Sequence, residues 1–425
     1  MLKNYLWYNF WRYIVVKTGL LLFYKNIKVV GKENLPKRKP ILITPNHQNA
    51  LIDALLIEGF VPGTQFALTR SDVFSTKFIS WFLRSLNMLP VYRVRDGLSS
   101  VTKNNAIFEL CIKNLKDKHS VLIFPEANHD LRRRVRPLNK GFTRIAFDAE
   151  LKYNWELDLQ ILPVGINYTE HRRSRNDVRI VYGKCIPIKK YKEIYETDKK
   201  EAANQLRNDV SDEMKKTVMH VPNMDQYPAM QVLLTDLETD EKKYLDPTKI
   251  NEKVKELSNQ LTPELIELGK KVVEISNTYD ISIKTIHGRK RPWLFWLSLF
   301  PFYLFSWINN IIPYQPIKKI LQNKIKDPTF DATAKYMLGL LIFPIWWLII
   351  SLTLWVTSIS TIYILAYIIL SIFTSVCFKN ANSLFVESST NNKLTKLKLK
   401  HPEAYQTFIN GIESLNEFRQ KTLKQ

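Results

Sequence analysis

The sequence predicts an α/β domain followed by a charged helical region and C-terminal transmembrane helices, and three observations carry that prediction. Between residues 27 and 190, short β-rich runs alternate with stretches of helical periodicity. From about 195 to 286 the pattern turns helical and charged, as in TDKKEAANQLRNDVSDEMKKTV. Beyond that, residues 293–312 (WLFWLSLFPFYLFSWINNII) contain no charge over 20 positions and residues 337–377 none over 41.

Composition bounds what the chain can do. With 425 residues and 45% hydrophobic composition it can bury a sizeable core. A formal charge of +22 implies a negative partner: nucleic acid, an anionic membrane face or phosphorylated substrates and carriers. Cys111, Cys185 and Cys377 are too few and too scattered for a disulfide framework or a Cys-based zinc site, which points to a reducing compartment. No histidine pair has metal-site spacing, and no bound metal is expected.

In chain order, the first element is an N-terminal helix over 1–24. Trp7, Phe10, Trp11, Ile14, Thr18, Leu21 and Leu22 recur at helical spacing, Lys17 interrupts them, and no small-residue cleavage site follows. This predicts an interfacial membrane helix, or one packed on the protein's own core, or both. The α/β domain spans 25–190, with strands at 27–30, 41–44, 65–68, 89–92, 121–124, 159–167 and 179–182. Helices fall at 49–59, 73–86, 99–117 and 141–150. In the charged helical region, 191–286, Thr262-Pro263 reads as an N-cap followed by a first-turn proline.

The membrane segments occupy 287–378. Residues 337–377 are long enough to cross a hydrocarbon layer of about 30 Å twice, with the polar cluster 357–361 as the turn of a helical hairpin. Every flank is basic: Lys290 and Arg291 before the first segment, Lys318, Lys319, Lys324, Lys326 and Lys335 between the two, Lys379 and residues 393–400 after. Basic flanks stay on the cytoplasmic side, so 293–312 reads as re-entrant or interfacial, with a three-span topology as the alternative. The expectation is an integral membrane protein whose α/β domain and 379–425 tail face the cytoplasm, in a bacterial inner membrane rather than a eukaryotic endomembrane.

Ligands of α/β folds gather outside the carboxyl ends of strands. Four strand-end stretches qualify: PNHQNALID, PVYRVRDG, FPEANHD and ILPVGINY. In order and spacing they resemble the four blocks of the glycerophospholipid acyltransferase superfamily, namely a His-x4-Asp block, an arginine block, an F-P-E-G block and a proline-centred apolar strand. The resemblance covers roughly 25–190 and implies a mixed sheet flanked by helices, acyl transfer from a thioester, and no resident cofactor. The chain departs from the pattern twice. Five residues separate His47 from Asp53, as in a minority branch that includes fungal-type glycerol-3-phosphate acyltransferases. Ala127 stands where the family has glycine, which restricts the backbone angles of the turn.

Acyl transfer from a thioester to an alcohol needs a base for the hydroxyl proton, and an imidazole titrates in the range that suits this. His47 is assigned that role, with Asp53 fixing its tautomer and stabilising the imidazolium. On one continuous helix the two would point about 240° apart, so His47 is expected in the loop and Asp53 in the first turns. The extra residue is then absorbed at Gln48-Asn49, and Asn46 or Asn49 is expected to cap the helix.

Arg93 matches the family arginine and is expected to hold the acceptor phosphate, with Arg95 beside it. Glu126, by the same resemblance, binds the acceptor glycerol and organises its loop. Asn128, Lys140 and Arg144 are further substrate-binding candidates. Arg132, Arg133, Arg134 and Arg136 are candidates for gripping anionic lipid headgroups or the phosphates of coenzyme A. His129-Asp130 is read as a loop pair, not a second base.

The expected function is a membrane-bound O-acyltransferase acting on glycerol-3-phosphate or 1-acylglycerol-3-phosphate, with acyl-CoA or acyl-carrier protein as co-substrate. Another lysophospholipid or a lyso-aminolipid is the alternative acceptor. An inactive basic membrane-associated scaffold is the alternative of another class. Nucleic acid is not an expected partner, because no RNA-binding motif is present and the four ordered blocks would be left unexplained.

Overall fold

The computed structural model describes residues 5–92, 99–235, 247–281, 283 and 293–423. They form two compact units, Met1–Met219 and His220–Gln425.

The first unit opens with α1 (Tyr5–Asn9), a π-helical stretch (Phe10–Lys17) and α2 (Thr18–Phe23), which lead into β1 (Asn26–Val30). Then come β2 (Ile41–Pro45), α3 (Ala50–Phe60), β3 (Gln65–Arg70), α4 (Lys77–Ser85), β4 (Met88–Val91), α5 (Ser99–Lys116) and β5 (Ser120–Leu122). The unit closes with α6 (Gly141–Lys152), β6 (Gln160–Tyr168), β7 (Asp177–Tyr182), β8 (Ile186–Pro187), α7 (Lys192–Thr197) and α8 (Lys199–Thr217). Each predicted strand is present within two residues of its expected bounds. The two-residue β8 has too little pattern to be seen in sequence.

The strands form one mixed sheet in the order β1-β7-β6-β2-β5-β3-β4, with β8 paired to β6. From β6 to β4 all neighbours are parallel, whereas β7 runs antiparallel to β6 and β1 pairs parallel with β7. β2 and β6 are buried at every position, as expected for central strands covered on both faces. The loops after β6, β2 and β5 therefore leave the sheet side by side.

Two expected boundaries move. The unit does not end near residue 190, because Ala202, Leu206, Val210 and Met214 form a helical stripe on α8 that enters the same core as Leu42, Val121 and Phe142. At Gly165 a Cβ would lie 2.0 Å from the Thr217 carbonyl, so only glycine lets the end of α8 approach β6 this closely. The N-terminal helix belongs to the unit as well. Arg12 is buried and donates to the carbonyls of Glu58, Val61 and Gly63 at the C-terminal end of α3. The opposite face leaves Tyr5, Leu6, Phe10, Ile14, Leu21 and Leu22 exposed.

The second unit comprises α9 (Tyr227–Leu233), α10 (Pro247–Gln260), α11 (Pro263–Thr278), α12 (Trp293–Asn323), α13 (Asp331–Val356), α14 (Thr361–Lys400) and α15 (Pro402–Thr422). Thr262 caps α11 through Leu265 N and Pro263 occupies its first turn. α12 is one continuous helix of 31 residues with Pro301, Pro313 and Pro316 inside it, longer than the 20-residue segment expected. Asn309 ties it to its neighbours: its carbonyl accepts from Trp346 Nε1 on α13 (2.9 Å), and its side chain bonds Tyr367 Oη (2.9 Å) and Ser371 Oγ (3.0 Å) on α14. The polar cluster 357–361 falls at the junction of α13 and α14. Among the described residues one helical stretch, Pro328–Val356, is long and apolar enough to cross a membrane, and Thr361–Ser375 is a shorter apolar helix.

Candidate active site

β2 ends at Pro45, and Asn46 prolongs its pairing with β6 by other means. Asn46 N donates to Val164 O (3.2 Å), while the side-chain amide donates to Ile166 O (3.2 Å) and accepts from Ile166 N (2.7 Å). The chain is thus held to the sheet up to His47 and released into the loop there.

His47 lies in that loop and Asp53 in the first turn of α3, with Nδ1 2.9 Å from Asp53 Oδ2. Asp53 is wholly buried, and the His47 side chain is 15% exposed. Gln48 N and Asn49 N, each at 2.7 Å, also donate to Oδ2, and Tyr168 Oη donates to Oδ1. No side chain caps α3 from Asn49; instead Asp53 reaches back to the loop amides, which satisfies donors at the helix start. Ala50, the first residue of α3, has a left-handed φ of 37° where the loop bends into the helix.

With Nδ1 protonated and bonded to a carboxylate, Nε2 carries the lone pair. Nε2 makes no hydrogen bond among the described residues, so it is the ring nitrogen that could accept from a ligand. The ring lies on Phe124 at 4.1 Å between centroids, with an interplanar angle of 23°, and the edge of His129 approaches at 5.5 Å. One face of the imidazole is therefore covered by an apolar ring.

Glu126 follows β5 and is buried. Oε2 accepts from Arg136 Nη2 (2.7 Å), Arg136 Nε (3.0 Å) and His47 N (3.3 Å), and Oε1 accepts from Arg136 N (3.1 Å). Burial pushes its carboxyl above the ordinary value, and Arg136 opposes the rise. Arg136 also donates to His47 O (3.3 Å) and to Asn128 O. Glu126 and Arg136 thus clamp the loop of residues 126–136 to the His47 loop. Arg136 is half of a buried ion pair, not the surface anion contact expected of it. Ala127 adopts φ 61° in the turn, the left-handed conformation that glycine would take without strain.

The other expected residues divide. Arg132 pairs with Asp130 at 2.6 Å; burial works against the charge of Asp130, but the bonds from Arg132 outweigh it and hold the carboxyl below its ordinary value. Arg133 donates to the carbonyls of Tyr168 (3.4 Å) and Thr169 (3.3 Å), and Arg134 Nε is buried without a hydrogen bond. Lys140 is exposed at the start of α6, next to Asn139, whose amide bonds Pro125 O at 2.8 Å. Arg144 is drawn to α5 instead: it bonds Asn105 (2.9 Å), pairs with Asp148 (3.3 Å) and lies 5.2 Å from the Phe108 ring centroid. Arg93 and Arg95 lie outside the described residues. The strand before them, β4, ends on the same sheet edge three strands from β2, about 14 Å at ordinary strand spacing, with Tyr92 held by Asn104 at 2.9 and 2.7 Å.

Sequence reasoning missed Gln48 and Tyr168. Gln48 Nε2 donates to Arg132 O (3.2 Å) and Gln48 Oε1 bonds His171 Nε2 (3.0 Å), joining three loops next to His47. For Tyr168 a signal existed: a tyrosine ending the largely apolar strand QILPVGINY needs an acceptor for its hydroxyl. Among the described residues no group of three His, Cys, Asp or Glu side chains is arranged to hold a metal ion.

A protein-family profile described as Acyltransferase matches residues 26–167. The curated relative 1-acyl-sn-glycerol-3-phosphate acyltransferase of Bacillus subtilis (strain 168) is 30% identical over 123 residues, 28% of this chain and 56% of that protein. The chain thus spans about half the length of the curated relative it matches. Among solved structures, that of the 1-acyl-sn-glycerophosphate acyltransferase PlsC from Thermotoga maritima aligns with 47% of this chain and 79% of its own, at 22% identity and a TM-score of 0.34.

Proposed function

Since an Acyltransferase family profile matches residues 26–167, we propose that the chain is a membrane-bound O-acyltransferase of the glycerophospholipid acyltransferase superfamily. It moves a fatty acyl chain from an acyl-CoA or acyl-carrier-protein thioester to a hydroxyl of glycerol-3-phosphate or 1-acylglycerol-3-phosphate. The observation that carries this reading is the His47–Asp53 pair at 2.9 Å, with Nε2 open at the carboxyl edge of the sheet.

His47 Nε2 takes the proton of the acceptor hydroxyl as its oxygen attacks the thioester carbonyl carbon. The new C–O bond forms through a tetrahedral oxyanion. Its collapse breaks the C–S bond, and the imidazolium returns the proton to the leaving thiolate. Asp53 stays ionised and stabilises the imidazolium between the two transfers. No covalent enzyme intermediate is needed. The phosphate of the acceptor falls to Arg93, with Lys140 and Asn128 as further acceptor contacts. The exposed apolar face of the N-terminal helix and the α13–α14 segment hold the protein to the lipid that supplies acceptor and takes product.

The test is transfer of labelled acyl groups to a panel of acceptors by membranes carrying the full chain. His47→Ala and Asp53→Asn are expected to lower kcat by roughly 10²- to 10⁴-fold, the contribution of a positioned general base. The name of the Bacillus subtilis relative puts 1-acylglycerol-3-phosphate first in the panel. A His47→Ala protein as active as the wild type would end the mechanism. A wild type inert towards every acceptor would leave the scaffold reading.

A further inference from the structure

Asp53 carries more hydrogen bonds than its partnership with His47 requires. A carboxylate accepts about four. Three of those here come from one short loop and converge on Oδ2: His47 Nδ1, Gln48 N and Asn49 N. The fourth comes from the opposite side, where Tyr168 Oη meets Oδ1. We propose that Tyr168 is a positioning residue of the acyl-transfer site, its hydroxyl fixing the plane and sharing the charge of the carboxylate that holds His47. This rests on the acyltransferase reading of the His47–Asp53 pair.

Position and rigidity support the assignment. Tyr168 is the last residue of β6, two beyond Ile166, which the Asn46 side chain grips from the β2 end. Its backbone pairs with Val178 of β7, its carbonyl accepts from Arg133 Nη2, and its ring is packed between Tyr24 (6.1 Å) and His171 (5.1 Å). Strand register and packing therefore deliver the hydroxyl to one place. Burial, and then the charge of Asp53, push the phenol well above its ordinary range, so it remains a donor at every working pH. The hydroxyl reaches His47 through Asp53, and its role is to position. A buried carboxylate oxygen with no donor is costly, and among the described residues Tyr168 Oη supplies the donor to Oδ1 that the loop does not.

The sign of the effect follows from charge sharing. With the phenol removed, Asp53 becomes a stronger acceptor for Nδ1–H and stabilises the imidazolium more. His47 then keeps its proton to higher pH and acts as a base only above it. The other titratable or charged groups next to the pair are His129 at the ring edge, Glu126 on His47 N, Arg136 on His47 O, Asp130, whose amide bonds that same carbonyl, and Tyr24 and His171 beside Tyr168. Tyr168→Phe leaves all of these side chains in place.

The experiment compares kcat/KM against pH for the wild type, Tyr168→Phe and a protein with a ring-fluorinated tyrosine at 168, all as full chains in membranes. The donor is acyl-CoA and the acceptor the one the wild type uses. Tyr168→Phe is expected to move the acidic limb up by about half to one pH unit, the size of one hydrogen bond to a charged group, with KM for both substrates within about twofold of wild type. The fluorinated phenol, a stronger donor of nearly the same shape, is expected to move the limb down. Should Tyr168→Phe fail to fold, the fluorinated protein alone decides. An unmoved limb in both variants, or a loss of kcat at all pH values with the limb unchanged, overturns the proposal and leaves the acyltransferase reading intact. A wild type without transfer activity removes that reading, and this inference with it.

Discussion

The unusual residues of the site are strained or paired in ways that residue type alone does not show. Ala127 takes a left-handed turn at φ 61°, where an L-residue with a Cβ is disfavoured by roughly 1–2 kcal/mol. Glycine avoids that strain but loses more chain entropy on folding. Ala127→Gly is therefore expected to raise stability by about 0.5 kcal/mol in denaturant unfolding, with transfer activity retained. A less stable Ala127→Gly protein would show that the methyl group contributes contacts outweighing the backbone strain. Glu126 teaches the complementary lesson. Its residue type and motif position suggested an acceptor ligand, and the structure adds four bonds to Arg136 and His47 N that tie two loops together. Arg136 was legible only as one cation in a basic run, because its partner lies across a loop whose path the local pattern does not encode.

At the scale of elements, α3 is held at both ends. Its start is tied by Asp53 to the loop of the base, and its C-terminal end by Arg12 and Tyr8 from the N-terminal helix. Burial raises the Glu58 carboxyl to about 7, an effect that the Tyr8 bond and Arg12 only partly offset. A carboxyl raised by folding contributes stability that is full below its unfolded value of about 4.5 and lost as pH rises through the folded value. Wild-type stability should therefore fall between pH 4.5 and about 7 relative to Glu58→Gln, in which this limb is absent. Parallel unfolding curves for the two proteins across that range would refute the assignment. The periodicity of the N-terminal helix was plain in sequence, and so was its apolar face. That its buried face carries Arg12 into the end of α3 was not, since a lone arginine in an apolar helix reads as a surface charge.

At the scale of the whole molecule, the proposed hold on lipid has two sources that can be separated: a net charge of +22 and a long apolar stretch in Pro328–Val356. They respond differently to salt. At about 1 M salt the screening length falls to roughly 3 Å, which cancels attraction to anionic headgroups. A protein anchored through α13 and α14 is expected to stay with membranes after such a wash and to leave them in detergent. Release by salt alone would reduce the C-terminal helices to a bundle that does not enter the bilayer.

What the sequence by itself determined was local: which stretches are strands and helices and where the polar turn at 357–361 falls. Those follow from periodicity, turn residues and charge among near neighbours. The tertiary structure alone decided what faces what. Tyr168 and Asp53 are 115 residues apart and meet because β6 and β2 lie side by side in one register. Arg136 turns inward to Glu126, α8 joins the core of the first unit, and His47 and Asp53 stand 2.9 Å apart across the five residues between them. In a parallel sheet the partners are set by crossovers dozens of residues long, so strand-end side chains become neighbours only once the sheet has formed.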